Sequence, residues 1–160
     1  MLVDFIVKRA PAYNVASIKR VGPWRNDMWQ KELSQLEKWA RKRKLRTGKY
    51  MLYELDGFGS SRPDNRRRWE TCLEIKGKEK SQGRVKVKKV SAATVVSVRF
   101  NPDKVSARLV YHGLGDWLRW RLKDRTFKKI GASREVYSGN PWKKPHAWAR
   151  AEVQVLVTRK

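Results

Sequence analysis

The side chains in this sequence that are best suited to binding a ligand are aromatic rings and a pair of carboxylates. Eight tryptophans and five tyrosines in 160 residues supply many ring surfaces on which a flat ligand can stack. A cleft for such a ligand also needs an anionic or polar group that fixes its orientation. The candidates for this site are Trp24, Tyr53, Trp69, Tyr111 and Tyr137, together with Glu152 and Glu70.

Each aromatic candidate has an alternative role in ordinary core packing. Trp29, Trp39 and Trp117 fall in predicted helices, where they are expected to bury apolar surface against a sheet.

Glu152 is the candidate catalytic residue. In the predicted strand 151–157 it shares a face with Gln154 and Leu156, so a solvated position is the alternative. If it faces the cleft, its carboxylate could pair with a cationic ligand, orient a donor, or position a water for attack on a strained electrophile.

Other catalytic arrangements are absent from the sequence. His112 and His146 are isolated, and no His, Cys, Asp and Glu cluster has the spacing of a metal site. Cys72 has no evident base near it in the sequence. The sequence therefore predicts neither a metal nor a cofactor.

An internal duplication organises the elements that must position these residues. The segment Val7–Ser17 reappears as Val87–Ser97, and Trp69–Leu73 aligns with Ala151–Val155, which makes Glu70 the counterpart of Glu152. Leu52–Asp56 aligns with Val136–Asn140. We expect a single domain over 1–160, with repeat one at 1–77, a linker at 78–83 and repeat two at 84–160. Because a half this small buries little apolar surface, the copies should share a core.

Each copy is predicted to run strand, helix, strand, strand. The first helix carries an apolar face at Trp29, Leu33, Leu36 and Ala40, and the second a stripe at Val105, Leu109, Trp117 and Trp120. Two such units side by side predict an α+β fold with pseudo-twofold symmetry, in which a mostly antiparallel sheet carries its helices on one face.

The charge balance is strongly basic, with 39 Lys and Arg against 15 Asp and Glu and a net charge of +24. Such a field attracts polyanions and predicts non-specific nucleic-acid contact through the basic surface, although a solvated surface is an equal alternative. No run of residues is long and apolar enough for a membrane span. The single Cys72 excludes an internal disulfide, and no signal peptide is evident, so a cytoplasmic location is expected.

Several short motifs, taken in order, resemble the GyrI-like small-molecule-binding domain, which is also the effector-binding half of some AraC- and MerR-type multidrug-responsive regulators. They are Val21-Gly22-Pro23-Trp24, Leu36–Ala40, Glu135-Val136-Tyr137 with Asn140-Pro141, and Ala151-Glu152-Val153. The resemblance implies two pseudo-symmetric units that enclose an aromatic-lined cleft. The chain departs from the family in its basic charge, and its second copy has no Gly-Pro-aromatic step. No helix-turn-helix segment precedes the motifs, so a stand-alone form is expected.

Two functions are consistent with these observations. The first is binding of a hydrophobic aromatic small molecule between the repeats, for sensing, sequestration or detoxification. Because some GyrI-like proteins hydrolyse cyclopropane-bearing alkylating compounds, the resemblance also admits a hydrolase of a strained electrophile. The second function is nucleic-acid binding, in which a basic surface and exposed tryptophans contact phosphates and bases.

Overall fold

In the computed structural model, which describes residues 3–58 and 61–159, each half of the chain forms four strands and a long helix. The first half contains β1 (Ile6–Ala10), β2 (Tyr13–Val21), α1 (Asn26–Lys42), β3 (Arg46–Glu54) and β4 (Arg68–Lys76), with a short 3₁₀ turn at Asp64–Arg66. The second contains β5 (Lys86–Val90), β6 (Ala93–Phe100), α2 (Ala107–Lys123), β7 (Phe127–Tyr137), α3 (Pro145–Trp148) and β8 (Ala151–Arg159).

The first extended segment of each repeat is two strands rather than one. In the first repeat the break falls at Pro11, which has no N–H to donate to a sheet ladder. The break allows the short first strand of each repeat to pair with a strand of the other repeat, so β1 pairs with β6 and β5 pairs with β2. The two repeats therefore complete each other's sheets.

The strands form one antiparallel sheet in the order β1-β6-β8-β7-β3-β4-β2-β5. Exchanging every strand with its counterpart in the other repeat reproduces this order in reverse, which is the signature of a pseudo-twofold axis. The axis passes between the central strands β3 and β7, where Leu52 lies opposite Glu135. The α+β fold and its pseudo-symmetry are as the sequence predicted.

The strand register refines the predicted alignment of the repeats. Lys19 lies opposite Glu70 and Arg99 lies opposite Glu152, in agreement with the predicted equivalence of the two glutamates.

The central strands, by contrast, are aligned one residue differently from the prediction. Tyr50 lies opposite Leu73 and Ser133 opposite Val155, so Glu54 rather than Tyr53 is the counterpart of Tyr137. A shift of one residue moves a strand side chain to the other face of the sheet.

Both long helices pack on one face of the sheet. The predicted face of α1 is confirmed, because Trp29, Leu33, Leu36 and Ala40 are all buried. The predicted stripe of α2 is wrong at Leu109 and Trp120, which are exposed, whereas Val105 and Trp117 pack against the core. The buried positions of the helix are Val110, Leu114, Gly115 and Leu118. The helix continues through Gly113 and Gly115, since packing on the sheet outweighs their low helix propensity.

In the part of the chain that the structure describes, no helix packs on the opposite face of the sheet, which carries a smaller apolar cluster that includes Val15, Met51 and Val136. Charged side chains surround this cluster. Within the described residues, no helix is long and apolar enough to cross a membrane.

Candidate functional site

A cleft of about 300 Å³ lies between α1 and α2 above the central strands. The pseudo-twofold axis passes through its floor, because Leu52 and Glu135 both line it. Seven of its lining residues are aromatic and two are glutamates: Trp24, Trp29, Trp69, Phe100, Tyr111, Tyr137 and Trp148, with Glu54 and Glu135.

Three tryptophans form one wall of the cleft. The centroid of the Trp24 ring lies 5.6 Å from that of Trp29 and 5.0 Å from that of Trp69, with tilted planes. The indole N–H of Trp24 donates to Asn26 Oδ1 at 2.9 Å, and that of Trp69 donates to the Gly22 carbonyl at 3.0 Å. Because these polar edges are bound by the protein, the ring orientations are fixed before any ligand arrives.

The Gly22-Pro23 turn places Trp24 at the cleft. Gly22 has a φ of +138°, a conformation that side chains other than glycine rarely adopt. Its N–H donates to the Arg67 carbonyl at 2.8 Å, so the turn is tied to the start of β4. This geometry explains why the motif that ends β2 carries an aromatic residue.

Glu135 is held at the floor of the cleft by two tyrosines. The hydroxyl of Tyr111 donates to Oε1 at 2.8 Å, and that of Tyr137 donates to Oε2 at 2.7 Å. Burial raises the pKa of both tyrosines, and the nearby Glu135 charge raises it further, so both hydroxyls stay protonated donors.

Glu54 is the second carboxylate of the cleft. Burial raises its pKa, whereas Arg67, whose Nη2 lies 3.2 Å from Oε1, lowers it. Although the chain has 39 Lys and Arg, none of those within residues 3–58 and 61–159 is among the residues that line the cleft. The cleft is therefore an acidic, aromatic site within a basic protein.

The structure brings together four of the seven predicted site residues and places three elsewhere. Trp24, Trp69, Tyr111 and Tyr137 line the cleft. Tyr53, Glu70 and Glu152 lie on the helix-free face of the sheet instead. Side chains alternate along a strand, so Trp69 and Glu70, which are adjacent in β4, cannot share a face.

Glu152 is buried within a polar network on that face. Lys8 Nζ lies 2.7 Å from Oε2, the Arg99 guanidinium donates to Oε1, and Ser97 and Gln154 both donate to Oε2 at 2.7 Å. Despite burial, which raises it, these donors and charges lower the pKa of Glu152 to about 2. A carboxylate so fully engaged is a poor general base.

Glu70 and Tyr53, the other two predicted site residues on this face, also have polar partners there. Lys88 Nζ donates to Glu70 Oε1 at 2.6 Å, which mirrors the contact between Lys8 and Glu152. The Tyr53 hydroxyl accepts from Arg134 Nη1 at 2.6 Å, and burial raises its pKa. The predicted equivalence of the two glutamates thus describes a duplicated ion pair, outside the cleft.

Five aromatic or acidic residues of the cleft were missed as site candidates: Trp29, Glu54, Phe100, Glu135 and Trp148. Glu135 had a detectable signal, because it lies two positions from Tyr137 on one strand and must share its face. The other four had no such signal, because they lie on α1, β3, β6 and α3, and only the tertiary packing of these elements brings them together.

The remaining reactive side chains do not form a catalytic group. Cys72 is a free, buried thiol whose pKa is raised well above its usual value by burial. Across residues 3–58 and 61–159, no three His, Cys, Asp or Glu side chains are close enough to hold a metal ion.

Comparison with known proteins places this architecture among small-molecule-binding domains. The model of the GyrI-like family, described as a small molecule binding domain, matches residues 4–158. No curated protein matches the chain in sequence.

Among solved structures, the C-terminal domain of EcmrR superposes with a TM-score of 0.77 at 19% identity over the full length of both chains. EcmrR in a DNA complex superposes at 0.75 with 20% identity; all of this chain is covered, but only 59% of that longer one. SAV2435 bound to tetraphenylphosphonium superposes at 0.50 with 8% identity over 97% of this chain and 94% of that one.

Proposed function

The chain belongs to the GyrI-like small-molecule-binding domain family, and on this basis we propose that its cleft binds hydrophobic aromatic molecules and prefers those that carry a positive charge. The role that follows is sensing, sequestration or detoxification of such a compound, because each of these begins with selective binding. The ligand occupies the space between α1 and α2 above β3 and β7.

The composition of the cleft lining is the observation that supports this proposal. Seven aromatic residues and two glutamates line it, whereas no lysine or arginine of the described residues does, in a chain with a net charge of +24. Aromatic faces attract cations through their quadrupole, and a nearby carboxylate adds a direct charge interaction. A random sample of this chain's surface would instead be basic.

The two carboxylates have different roles in this proposal. Glu135 lies at the floor of the cleft, where two tyrosine hydroxyls hold its carboxylate in place. Glu54 is already balanced in part by Arg67 at 3.2 Å. Glu135 is therefore the main partner of a ligand cation, and Glu54 contributes less.

Tryptophan fluorescence tests the proposal directly, since four tryptophans line the cleft. Tetraphenylphosphonium is a suitable probe because it is a bulky aromatic cation and is bound by SAV2435, which shares the fold. We expect saturable quenching that persists at high salt, because the interaction is mostly apolar and shielded from screening.

Two tryptophan variants make the test specific to the cleft. Trp24→Ala removes a ring of the cleft wall and should weaken binding about tenfold, in line with the loss of one buried aromatic contact. Trp120→Ala removes a ring that is 60% exposed on α2 and lies outside the lining, so it is the matched control. Equal affinity in the wild type and Trp24→Ala, or the absence of any quenching, would refute the proposal.

A further inference from the structure

We propose that a second cavity, at the end of β7, is a binding site for a phosphate-type oxyanion. The cavity has a volume of about 210 Å³, and its polar lining comprises Lys49, Arg99, Tyr137, Ser138, His146, Arg150 and Glu152. Tyr137 also lines the aromatic cleft, but no other residue is common to the two linings. The two sites can therefore be perturbed separately.

The charge of this cavity is strongly unbalanced. Three cations, Lys49, Arg99 and Arg150, face a single carboxylate, Glu152. The Glu152 carboxylate is already neutralised by Arg99 at 3.0 Å and by Lys8 at 2.7 Å. Lys8 lies outside the lining of the cavity. In the described part of the chain, neither Lys49 nor Arg150 has a carboxylate within ion-pair distance. Their charges are available to a ligand.

The backbone around Lys49 is held in an irregular conformation. The register of β3 against β4 shifts between Thr47 and Tyr50, and the Lys49 N–H donates to Glu74 Oε1 at 2.9 Å. Strand bulges of this kind re-aim a side chain and are common beside functional sites. The Glu74 charge is itself balanced by Lys76 at 2.8 Å, so it does not neutralise the Lys49 side chain.

The segment that supplies His146 and Arg150 is anchored on its other side. Trp142 packs against Trp29 with ring centroids 5.3 Å apart, and Ala147 is buried. Asn140 Nδ2 donates to Glu37 Oε1 at 3.2 Å, which ties the segment to α1. The backbone that carries His146 and Arg150 is therefore fixed from the apolar side, and the two residues themselves are exposed to solvent.

The donor set matches an oxyanion with more than one negative charge. Arginine presents N–H groups in a planar fork that matches phosphate oxygens, and lysine adds a compact point charge. His146 and Ser138 supply further hydrogen-bond donors. Because Tyr137 is the one aromatic residue in this lining, the cavity suits the anionic group of a ligand rather than an aromatic body.

The two histidines of the chain provide an internal reporter and its control. His146 lines the cavity, whereas His112 lies on α2 outside it, and both histidines are exposed. Inorganic phosphate is titrated against the protein at fixed pH, with chloride adjusted to keep the ionic strength constant, while both imidazole C2–H resonances are followed by NMR. We expect a saturable shift of His146 with a midpoint of about 1 mM or lower, and no matching shift of His112.

Matched double variants assign the effect to the cavity. Lys49→Ala with Arg150→Ala should weaken phosphate binding at least tenfold, which is about the effect of removing two charge-assisted contacts. Arg108→Ala with Lys128→Ala removes the same charge from exposed positions outside the cavity and should change the midpoint less than twofold. Tetraphenylphosphonium binding, followed in the same variants, reports separately on the cleft.

A labelled DNA duplex distinguishes the source of the phosphate. If backbone phosphates occupy the cavity, the Lys49 and Arg150 double variant will lose more DNA affinity at physiological salt than the matched control. If a small phosphorylated compound occupies it, the two variants will lose DNA affinity equally while only the first loses phosphate binding. Equal shifts of His146 and His112, or phosphate binding that survives in the Lys49 and Arg150 variant, would overturn the proposal.

Discussion

Replacing Glu135 with glutamine should reduce the preference of the cleft for cationic ligands without disturbing its shape. The glutamine carbonyl can accept from one tyrosine, and its amide group can donate to the hydroxyl of the other. Tyr111 and Tyr137 therefore keep their positions. The substitution removes one charge and little else.

The magnitude follows from the position of the carboxylate at the floor of the cleft. A ligand cation about 6 Å from Glu135 interacts with it by about 3 kcal/mol at an effective dielectric constant of about 20. Part of this gain is lost because the carboxylate and the cation both give up hydration, so we expect a net loss of about 1–2 kcal/mol. This corresponds to roughly a tenfold weaker affinity. Glu54→Gln should have a smaller effect, because Arg67 already lies 3.2 Å from that carboxylate.

The assay compares a cation with a neutral molecule of similar aromatic bulk. Tetraphenylphosphonium and triphenylphosphine oxide are each titrated against the wild type and Glu135→Gln, with tryptophan quenching as the signal. We expect about tenfold weaker binding for the cation and a change below about twofold for the neutral probe.

Glu152→Gln is the charge-matched control for this assay. It removes the same charge from the helix-free face of the sheet, outside the cleft lining, and should leave both affinities unchanged. Equal losses for the two probes in Glu135→Gln would show that the residue has a structural role. An equal loss in Glu152→Gln would show that only the total charge matters, and either result would refute the reasoning.

Three further predictions concern stability and titration. The pKa of Glu152 in the folded protein, about 2, lies below its ordinary value of 4.5. Its contribution of about 2–3 kcal/mol to the free energy of unfolding is therefore present above about pH 5 and is lost as the pH falls towards 2. Glu152→Gln should flatten this pH dependence in urea unfolding, and an unchanged profile would contradict the prediction. All five tyrosines have raised pKa values, so at pH 10.5 absorbance at 295 nm should show less tyrosinate in the folded protein than in urea. This contribution to stability is lost as the pH rises above the unfolded value near 10, and equal titration in the folded protein and in urea would exclude it. A Cβ at Gly48 would overlap the Glu74 carboxylate, so Gly48→Ala should lower the free energy of unfolding by about 1–3 kcal/mol. A Cβ at Gly113 would have Phe5 as its nearest contact at 3.7 Å, so Gly113→Ala should stabilise α2 by up to about 1 kcal/mol. Thermal denaturation measures both effects, and effects of the same sign would refute the comparison.

The sequence was informative wherever a local pattern had a single structural meaning. The apolar face of α1 repeats at helical spacing, and the structure buries all four of its residues. The repeat of Val7–Ser17 as Val87–Ser97 predicted the symmetry, and the register of β1 with β6 matches that of β5 with β2. Family membership followed from short motifs in a fixed order.

The sequence was less informative about which side of the sheet a residue faces. Aligning Tyr53 with Tyr137 missed the true equivalence by one position, and in a strand that error moves a side chain from the cleft to the opposite face. Glu152 and Glu70 matched each other correctly, yet the match identified a duplicated ion pair with Lys8 and Lys88. A repeat shows which positions are equivalent, and it does not show what those positions face.

The sequence by itself determined the α+β repeat, its symmetry, the helix face of α1 and the supply of aromatic rings, because each of these follows from residue type and local spacing. The tertiary structure decided which rings meet, since Trp29, Trp69 and Trp148 come from α1, β4 and α3, which only packing brings together. It also decided the charge of the cleft. A chain of net charge +24 places no lysine or arginine of its described residues in that lining and places Glu135 there instead, because the hydroxyls of Tyr111 and Tyr137 satisfy the carboxylate.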